Sequence, residues 1–310
     1  MTLENTDIQV VSAPAARRTG LSRRQIALLM QAPSVALIGM FFVLPILSII
    51  VLAFWRTESY QIIPDFTLSN FHAVLFEGAY LTFFLRSFIT AVAVSTVSVI
   101  LAWPIAYFIV RVSGRWALLL GMLFALPFFT GEVIRLIALQ GLLGPVGLIN
   151  SMMMWMGLQP IRALIFTPIA SAIGIFYLYL PTAVTALCLS LVNFDFRLAD
   201  AARTFGAGPV RTFLEVTWPL NLVGTLVGFI LCFVPALSSA LAPRFLGGPN
   251  GTLFGMSLAQ QFGDTGTWSL GAAMGVFLFA ATLLMVFMLS RAVNPQRSGF
   301  SGGTAEREGR

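Results

Sequence analysis

The chain has 310 residues, of which 58% are hydrophobic and only 10% charged, and its mean hydropathy is +0.90. Soluble domains of average composition carry about 25% charged residues, so this composition excludes a water-soluble globule and predicts one membrane domain. A net charge of +6 is compatible with binding to nucleic acid. Such binding would require the basic residues to cluster on one face together with residues that contact the bases. The basic residues here lie between apolar stretches, so we predict no nucleic-acid partner.

The missing residue types exclude several kinds of chemistry. All basic residues are arginine, and the chain contains no lysine, which excludes a Walker A phosphate loop and Schiff-base catalysis. One histidine and two cysteines leave no HExxH motif, zinc cluster or disulfide framework. We therefore expect that the chain is not an enzyme and that it holds no metal or cofactor.

Six apolar stretches are long enough to cross a membrane. Crossing the hydrocarbon core of about 30 Å takes about 20 helical residues, and backbone groups in lipid must be paired within each segment. We therefore predict an all-α membrane protein with six transmembrane helices in a membrane domain over residues 26–290. The predicted spans cover residues 33–55, 84–110, 116–138, 167–190, 219–243 and 268–290.

The arginines predict the orientation of these spans. With the N-terminus in the cytoplasm, thirteen arginines fall in inner segments and only Arg56 and Arg162 in outer loops. The positive-inside rule then places both termini in the cytoplasm, with tails over residues 1–25 and 291–310. Residues 22–26 resemble a twin-arginine export signal, but the long apolar stretch and five further spans favour an uncleaved anchor.

Two outer segments are predicted to contain short helices at the membrane interface. The sole histidine, His72, lies in a stretch with helical apolar spacing, which favours an interfacial helix over a ligand site. The run Met152–Trp155 in the next outer segment is interpreted as another interfacial or packing helix.

The inner loop over residues 191–218 is much longer than the inner loop over residues 111–116 and has its own helical pattern. Gly206 is predicted to end one helix and Pro209 to begin the next. In the first helix, Arg197, Asp200 and Arg203 follow one another at intervals of three on the polar side. The apolar stripe of that helix consists of Phe194, Leu198, Ala201, Ala202 and Phe205.

The same loop carries a family signature. Asp200-Ala201-Ala202, Gly206 and Pro219 lie at the spacing of the E-A-A-x3-G-x9-I-x-L-P motif, with Asp for Glu, Val for Ile and Trp for Leu. This pattern resembles the membrane subunits of binding-protein-dependent ABC importers. The resemblance covers residues 29–290 and is most specific to the spermidine/putrescine permease group, whose motifs are similar to stretches at 127–135, 141–150 and 233–249.

The resemblance implies a type I ABC importer permease (MetI-like) fold in the bacterial inner membrane. It implies a second, related permease subunit, so that the pair is a heterodimer, together with two ABC ATPase subunits and a periplasmic solute-binding protein. ATP would be hydrolysed by the ATPase subunits and not by this chain. The residues implied to couple the chain to the ATPase are Asp200, Ala201, Ala202, Arg203, Gly206 and Pro219.

Charged residues in the apolar segments are candidates for the substrate path. A charge within a span costs on the order of 2.5–3.5 kcal/mol, so Glu132 and Arg135 need a reason to be there. They can pair with each other, or Glu132 can face the path and meet an ammonium group while Arg135 positions it, and neither interpretation excludes the other. Ser238 and Ser239 stand where the related group commonly has Gly-Glu-Phe, and Arg244 follows Pro243. The resemblance implies a polyamine as the substrate. The absence of the glutamate of Gly-Glu-Phe and the presence of Arg244 favour instead an opine, an amino-acid-like solute or a phosphonate, and both substrate classes remain open.

Two other classes of function are alternatives. A stand-alone secondary carrier is expected to show broken helices, paired intramembrane ionisable residues and often inverted repeats, and the sequence has no convincing internal repeat. A membrane enzyme would need a nucleophile and a base, and Gly255–Ala259 matches G-x-S-x-G poorly. The ABC importer permease remains the leading hypothesis.

Overall fold

A computed structural model describes residues 23–161 and 164–292 and divides the chain into two units, residues up to Ser48 and residues from Ile49. Apart from a few residues next to the spans, the predicted tails over 1–25 and 291–310 lie outside the described residues. The first unit contains α1 (Arg23–Ile38), a π-helical turn over Gly39–Val43 and the start of α2 (Leu44–Ala53). Nearly all its described side chains from Met30 onward are exposed, as expected for an apolar helix that contacts lipid or another chain.

The second unit is built from helices of very different lengths. Three of them, α4, α8 and α12, pack against one another and form the centre of the unit. The elements are β1 (Arg56–Glu58), β2 (Gln61–Ile63), α3 (Ser69–Phe76), α4 (Tyr80–Tyr107), α5 (Ala117–Ala125), α6 (Glu132–Leu143), α7 (Leu148–Trp155), α8 (Pro168–Val192), α9 (Arg197–Thr204), α10 (Pro209–Thr212), α11 (Trp218–Leu220), α12 (Leu222–Leu237), α13 (Phe254–Gly263) and α14 (Trp268–Ala292).

Small residues bring α12 close to α8. Gly224 and Gly228 are four residues apart and lie against Ser190 and Ala186 of α8, an arrangement that allows two apolar helices to approach closely within a membrane. A Cβ atom on Gly224 would clash with the Cβ and Oγ atoms of Ser190. The packing of these helices therefore depends on the absence of a side chain at Gly224.

Within the described residues, five helical segments are long and apolar enough to cross a membrane, and a sixth is counted if the bent pair Pro209–Leu220 and Leu222–Leu237 is one span. The five segments are Met30–Ala53, Tyr80–Val112, Glu132–Trp155, Pro168–Val192 and Trp268–Arg291. The expected all-α, multi-span architecture is therefore confirmed.

The third predicted span differs from the structure. No continuous helix covers 116–138: α5 is followed by a 3-10 turn over Leu126–Phe129, and α6 starts at Glu132 after a break. Pro127 lacks the amide hydrogen that an uninterrupted helix would need, and Gly131 adopts an extended backbone conformation with ψ of 142°. A single helix over 116–138 was therefore wrong, because local backbone chemistry interrupts the apolar run.

The expected outer end of the bundle carries a small hairpin that the sequence analysis did not anticipate. β1 and β2 are antiparallel, and their two-residue turn has positive φ at Ser59 and Tyr60, as in type I′ turns. Thr57 anchors the hairpin to α14, because its Oγ1 atom lies 2.7 Å from the Ser269 Oγ atom and accepts a hydrogen bond from the Ser269 amide. The short helices predicted around His72 and Met152–Trp155 are confirmed as α3 and α7.

We predict that Gly224→Ala lowers the free energy of unfolding by about 1–3 kcal/mol, as overpacked sites do. The matched control is Gly121→Ala in α5, where an added Cβ atom would meet nothing within 4 Å. Thermal unfolding of both variants in detergent measures the difference. An equal loss in the two variants would contradict the close approach of α12 to α8.

Candidate functional site

The loop between α8 and α12 forms a helical hairpin at the expected inner end of the bundle. α9 ends in a Schellman motif, because the Ala207 amide donates to the Ala202 carbonyl and the Gly206 amide donates to the Arg203 carbonyl. Gly206 has a φ of +87°, a conformation that costs other L residues free energy. Pro209 occupies the first position of α10, so the predicted helix, glycine turn and second helix are all present.

One face of this hairpin is apolar and exposed. Phe205 is 92% exposed, Val210 69% and Leu198 50%, and Ala201 is also exposed between them in sequence. Leu198, Ala201 and Phe205 follow one another at intervals of three and four and therefore share a face of α9. Large apolar side chains with this exposure at the end of a bundle indicate a surface that another protein covers.

The opposite side of α9 is attached to the end of α4. Both carboxylate oxygens of Asp200 accept hydrogen bonds from the Arg111 Nη2 atom, at 2.9 and 2.7 Å. Arg111 belongs to a π-helical turn over Phe108–Val112 that continues α4, and its guanidinium lies 5.0 Å from the centre of the Phe196 ring. The ion pair is partly exposed, so its direct contribution to stability is about 0.2–1 kcal/mol.

Aromatic contacts attach the hairpin to α4 on either side of this ion pair. The Tyr107 ring meets the Phe196 ring edge-on with centres 6.0 Å apart, and the Trp103 ring meets the Phe213 ring in the same way at 5.2 Å. Trp103, Tyr107 and Arg111 are spaced four residues apart, so they follow one face of α4 and its extension. We call these three side chains the α4 stripe.

A cavity of about 420 Å³ lies between α4 and the second half of the hairpin, and its lining includes Trp103, Tyr107, Arg203 and Thr212. The indole nitrogen of Trp103 and the hydroxyl of Thr212 are buried without a hydrogen-bond partner among the described residues. Both residues line the cavity, so buried polar atoms lie where α4 meets the hairpin.

Pro219 marks the passage from the hairpin into α12. A π-helical turn over Phe213–Thr217 leads into α11, and the chain bends by 73° between α11 and α12 at Asn221. Asn221 is buried, its side-chain amide donates to the Thr217 carbonyl, and its Oδ1 atom accepts from the Ser190 hydroxyl. The bend is thereby held by side-chain hydrogen bonds both within the segment and to α8.

Glu132 and Arg135 occupy the first turn of α6. The ion pairs within 4 Å in the described part of the chain do not include this pair. Arg135 instead donates to the Leu178 carbonyl of α8 at the long distance of 3.5 Å, and its Nε atom is buried without a partner among the residues described. The Arg135 side chain therefore faces α8 at Leu178.

The remaining candidate path residues lie beyond the end of α12. Ser238 is exposed and donates to the Val234 carbonyl, whereas Ser239 is buried and its hydroxyl has no partner within the described ranges. Arg244 is exposed in a π-helical turn over Pro243–Gly247. That turn packs against α6 and α8 where Leu136, Ala242 and Leu246 surround Gly174, so the structure brings the elements that carry Arg135 and Arg244 together.

The residues that hold the hairpin and the bend in place are not evident from local sequence patterns. Arg111 lies at the end of a predicted span, opposite a loop that contains Asp195, Asp200 and Glu215, so an ion pair at this end was a usable signal although its acidic partner was not. Asn221 has no signal of its own, because an asparagine inside an apolar stretch gains its role only from a neighbouring helix.

We predict that Gly206→Val destabilises the turn by about 1–2 kcal/mol, the cost of a left-handed conformation for an L residue. Trypsin should then cleave the purified chain faster at Arg203 and Arg211, which flank the turn. Gly206→Asn should be cleaved almost as slowly as the native chain, since asparagine tolerates this conformation. Equal cleavage of the valine and asparagine variants would contradict the Schellman motif.

Comparison with known proteins gives no matching family model but finds related sequences. The spermidine/putrescine transport system permease protein PotB of Salmonella typhimurium is 31% identical over 268 residues, which cover 84% of this chain and 93% of that protein. PotB of Escherichia coli is 31% identical over 256 residues, covering 82% and 92%. The inner membrane ABC transporter permease protein YdcU of Escherichia coli is 29% identical over 226 residues, covering 69% and 72%.

Solved structures share the fold. A bacterial ABC transporter involved in the import of the acidic polysaccharide alginate matches with a TM-score of 0.68 at 16% identity, covering 87% of this chain and 96% of that chain. The same kind of transporter in complex with a periplasmic protein bound to alginate pentasaccharide matches with a TM-score of 0.69 at 16% identity, covering 89% and 96%. The chain is thus a multi-pass inner-membrane protein that belongs to the family of ABC transporter permease subunits that includes the PotB proteins.

Proposed function

We propose that this chain is a permease subunit of an ATP-driven importer for polyamines of the spermidine/putrescine class. The observation that carries the proposal is the 31% identity with PotB proteins over more than four fifths of the chain. In this proposal the chain pairs with a second permease subunit, receives solute from a periplasmic binding protein and is driven by separate ATPase subunits. It does not hydrolyse ATP itself, because it lacks the lysine of a Walker A loop.

The hairpin of α9 and α10 is proposed to be the contact with the ATPase. Its exposed face around Leu198, Phe205 and Val210 supplies the apolar surface, and the small residues Ala201 and Gly206 allow close approach. This end of the bundle then lies in the cytoplasm, as the arginine distribution predicts, with both termini on the same side. ATP-driven movement of the ATPase would shift the bundle between inward-facing and outward-facing states.

The path for the solute is proposed to pass the first turn of α6 and the segment after α12. Glu132 forms no ion pair with Arg135 in the described structure, so its carboxylate is available to an ammonium group. Arg135 holds the first turn of α6 in position through its hydrogen bond to the Leu178 carbonyl. Ser238, Ser239 and Arg244 line the part of the path formed by the segment after α12.

One observation favours a second substrate class. The unpartnered Nε atom of Arg135 and the exposed guanidinium of Arg244 lie on elements that pack together. Two cations near a path suit a carboxylate or phosphonate, such as an opine or an amino-acid-like solute. The machinery would be the same and only the cargo would differ.

We predict that Phe205→Glu abolishes co-purification of the ATPase subunit while membrane insertion stays normal, because a charge on the exposed face opposes burial in an apolar groove. Phe76→Glu is the matched control, since Phe76 is 75% exposed at the expected outer end. The measurement is the amount of ATPase recovered with each variant from detergent-solubilised membranes. Normal recovery with Phe205→Glu would count against the coupling role of the hairpin.

We predict that Glu132→Gln raises the apparent KM for spermidine uptake about tenfold, which corresponds to about 1.4 kcal/mol of lost attraction. Uptake is measured in proteoliposomes that contain the complete transporter. Glu58→Gln on the outer hairpin, which removes only an exposed ion pair with Arg56, should leave KM unchanged. Loss of uptake of an anionic solute in Arg135→Gln, with no effect of Glu132→Gln on spermidine, would support the second substrate class instead.

The same preparation tests the alternative of a stand-alone carrier. We expect no uptake by the chain alone under a solute or ion gradient, and uptake only when ATP and the ATPase subunits are present. Gradient-driven uptake by the purified chain would refute the importer assignment.

A further inference from the structure

Asp200 occupies the acidic position of the family signature, yet its carboxylate is already engaged within the chain. Both oxygens accept from Arg111, and the distances of 2.7 and 2.9 Å are those of strong, charge-assisted hydrogen bonds. The Arg111 guanidinium also lies over the Phe196 ring, 5.0 Å from its centre, as in a cation–π contact. A group placed in this way is oriented towards α4 and not towards the surface that the exposed side chains form.

This ion pair differs from the others in the described residues. Arg56, His72 and Arg211 pair with acids at most nine positions away, and the Arg211–Glu215 pair lies within one helical stretch. Arg111 and Asp200 are 89 residues apart in sequence. Among the ion pairs in the described part of the chain, Arg111–Asp200 is therefore the one that joins the hairpin to a long central helix.

The three contacts of the α4 stripe have different mechanical properties. The ring contacts Trp103–Phe213 and Tyr107–Phe196 resist separation of the hairpin from α4, but apolar contacts have little directionality and allow sliding. The Arg111 Nη2 atom donates to both carboxylate oxygens of Asp200, and hydrogen bonds weaken steeply when their angle departs from linearity. Arg111 thus fixes the position of α9 along α4, which the aromatic contacts alone leave free.

We propose that Arg111 is a positioning residue that locks α9 to α4 through Asp200, and that Asp200 acts as this internal anchor rather than as a contact to the ATPase. The proposal rests on the coupling role proposed above for the hairpin. A displacement of the hairpin is passed to α4, and from α4 to α8 and α12, because these three helices form one packed centre. Without the ion pair, the hairpin would still move with the ATPase, but this movement would be transmitted less completely to α4, α8 and α12.

The test compares Arg111→Asp, Asp200→Arg and the double variant that exchanges the two charges, each in the complete transporter reconstituted in proteoliposomes. Both single variants should keep the ATPase bound and hydrolysing ATP, but the ATP consumed per spermidine imported should rise at least about fivefold, the lower end of coupling effects between sites. The double variant should return this ratio to within about twofold of the native value, because the ion pair is restored with reversed polarity.

An arginine of the same end serves as the matched control. Arg115→Ala removes a cation that lies over the Trp116 ring and should leave the ratio unchanged. A native ratio in Arg111→Asp, or a double variant no better than Asp200→Arg, would overturn the lock. Loss of the ATPase in Asp200→Arg but not in Arg111→Asp would also overturn it, since Asp200 would then be an ATPase contact.

The failure of the lock is distinguishable from the failure of the proposed function. If Phe205→Glu loses the ATPase while Arg111→Asp imports with the native ratio, the hairpin is the coupling element and only the role of Arg111 is wrong. If Phe205→Glu keeps the ATPase and the native ratio, the coupling assignment itself is wrong, and the lock is wrong with it.

Discussion

The close packing of α4, α8 and α12 is the constraint on which the rest of the structure depends. In a membrane, helices gain little from burying apolar surface away from lipid, so their association relies on close contact. Gly224 and Gly228 provide that contact against α8. Because α4, α8 and α12 pack against one another, the contacts with the other two oppose the displacement of any one of them.

The hairpin between α8 and α12 is attached to this centre by its less exposed side and presents its apolar side outward. The α4 stripe holds it at three points, before α9, within α9 and after α10. The Trp103 and Thr212 side chains carry buried polar atoms beside the cavity at this junction.

The candidate path lies in the opposite half of the centre, where α6, α8 and the turn after α12 meet. Helix breaks concentrate here: α6 begins after Gly131, and α12 ends before Ser238. Irregular backbone at membrane depth is tolerated where protein surrounds it or where it lines a polar cavity. Glu132 and Arg135 stand at such a break, which is the reason for proposing them as part of the solute path.

The sequence by itself determined the membrane class, the helical fold and the helix–turn–helix hairpin, because composition, apolar runs and the Gly206 and Pro209 signals act locally. It also predicted the family from the spacing of Asp200, Gly206 and Pro219. Only the tertiary structure decided that the apolar run after Trp116 is interrupted and that Arg135 turns to α8 and not to Glu132. The partner of Asp200 was likewise decided only by the fold, since Arg111 lies 89 residues away and contacts over that separation depend on how helices pack, which no local pattern records.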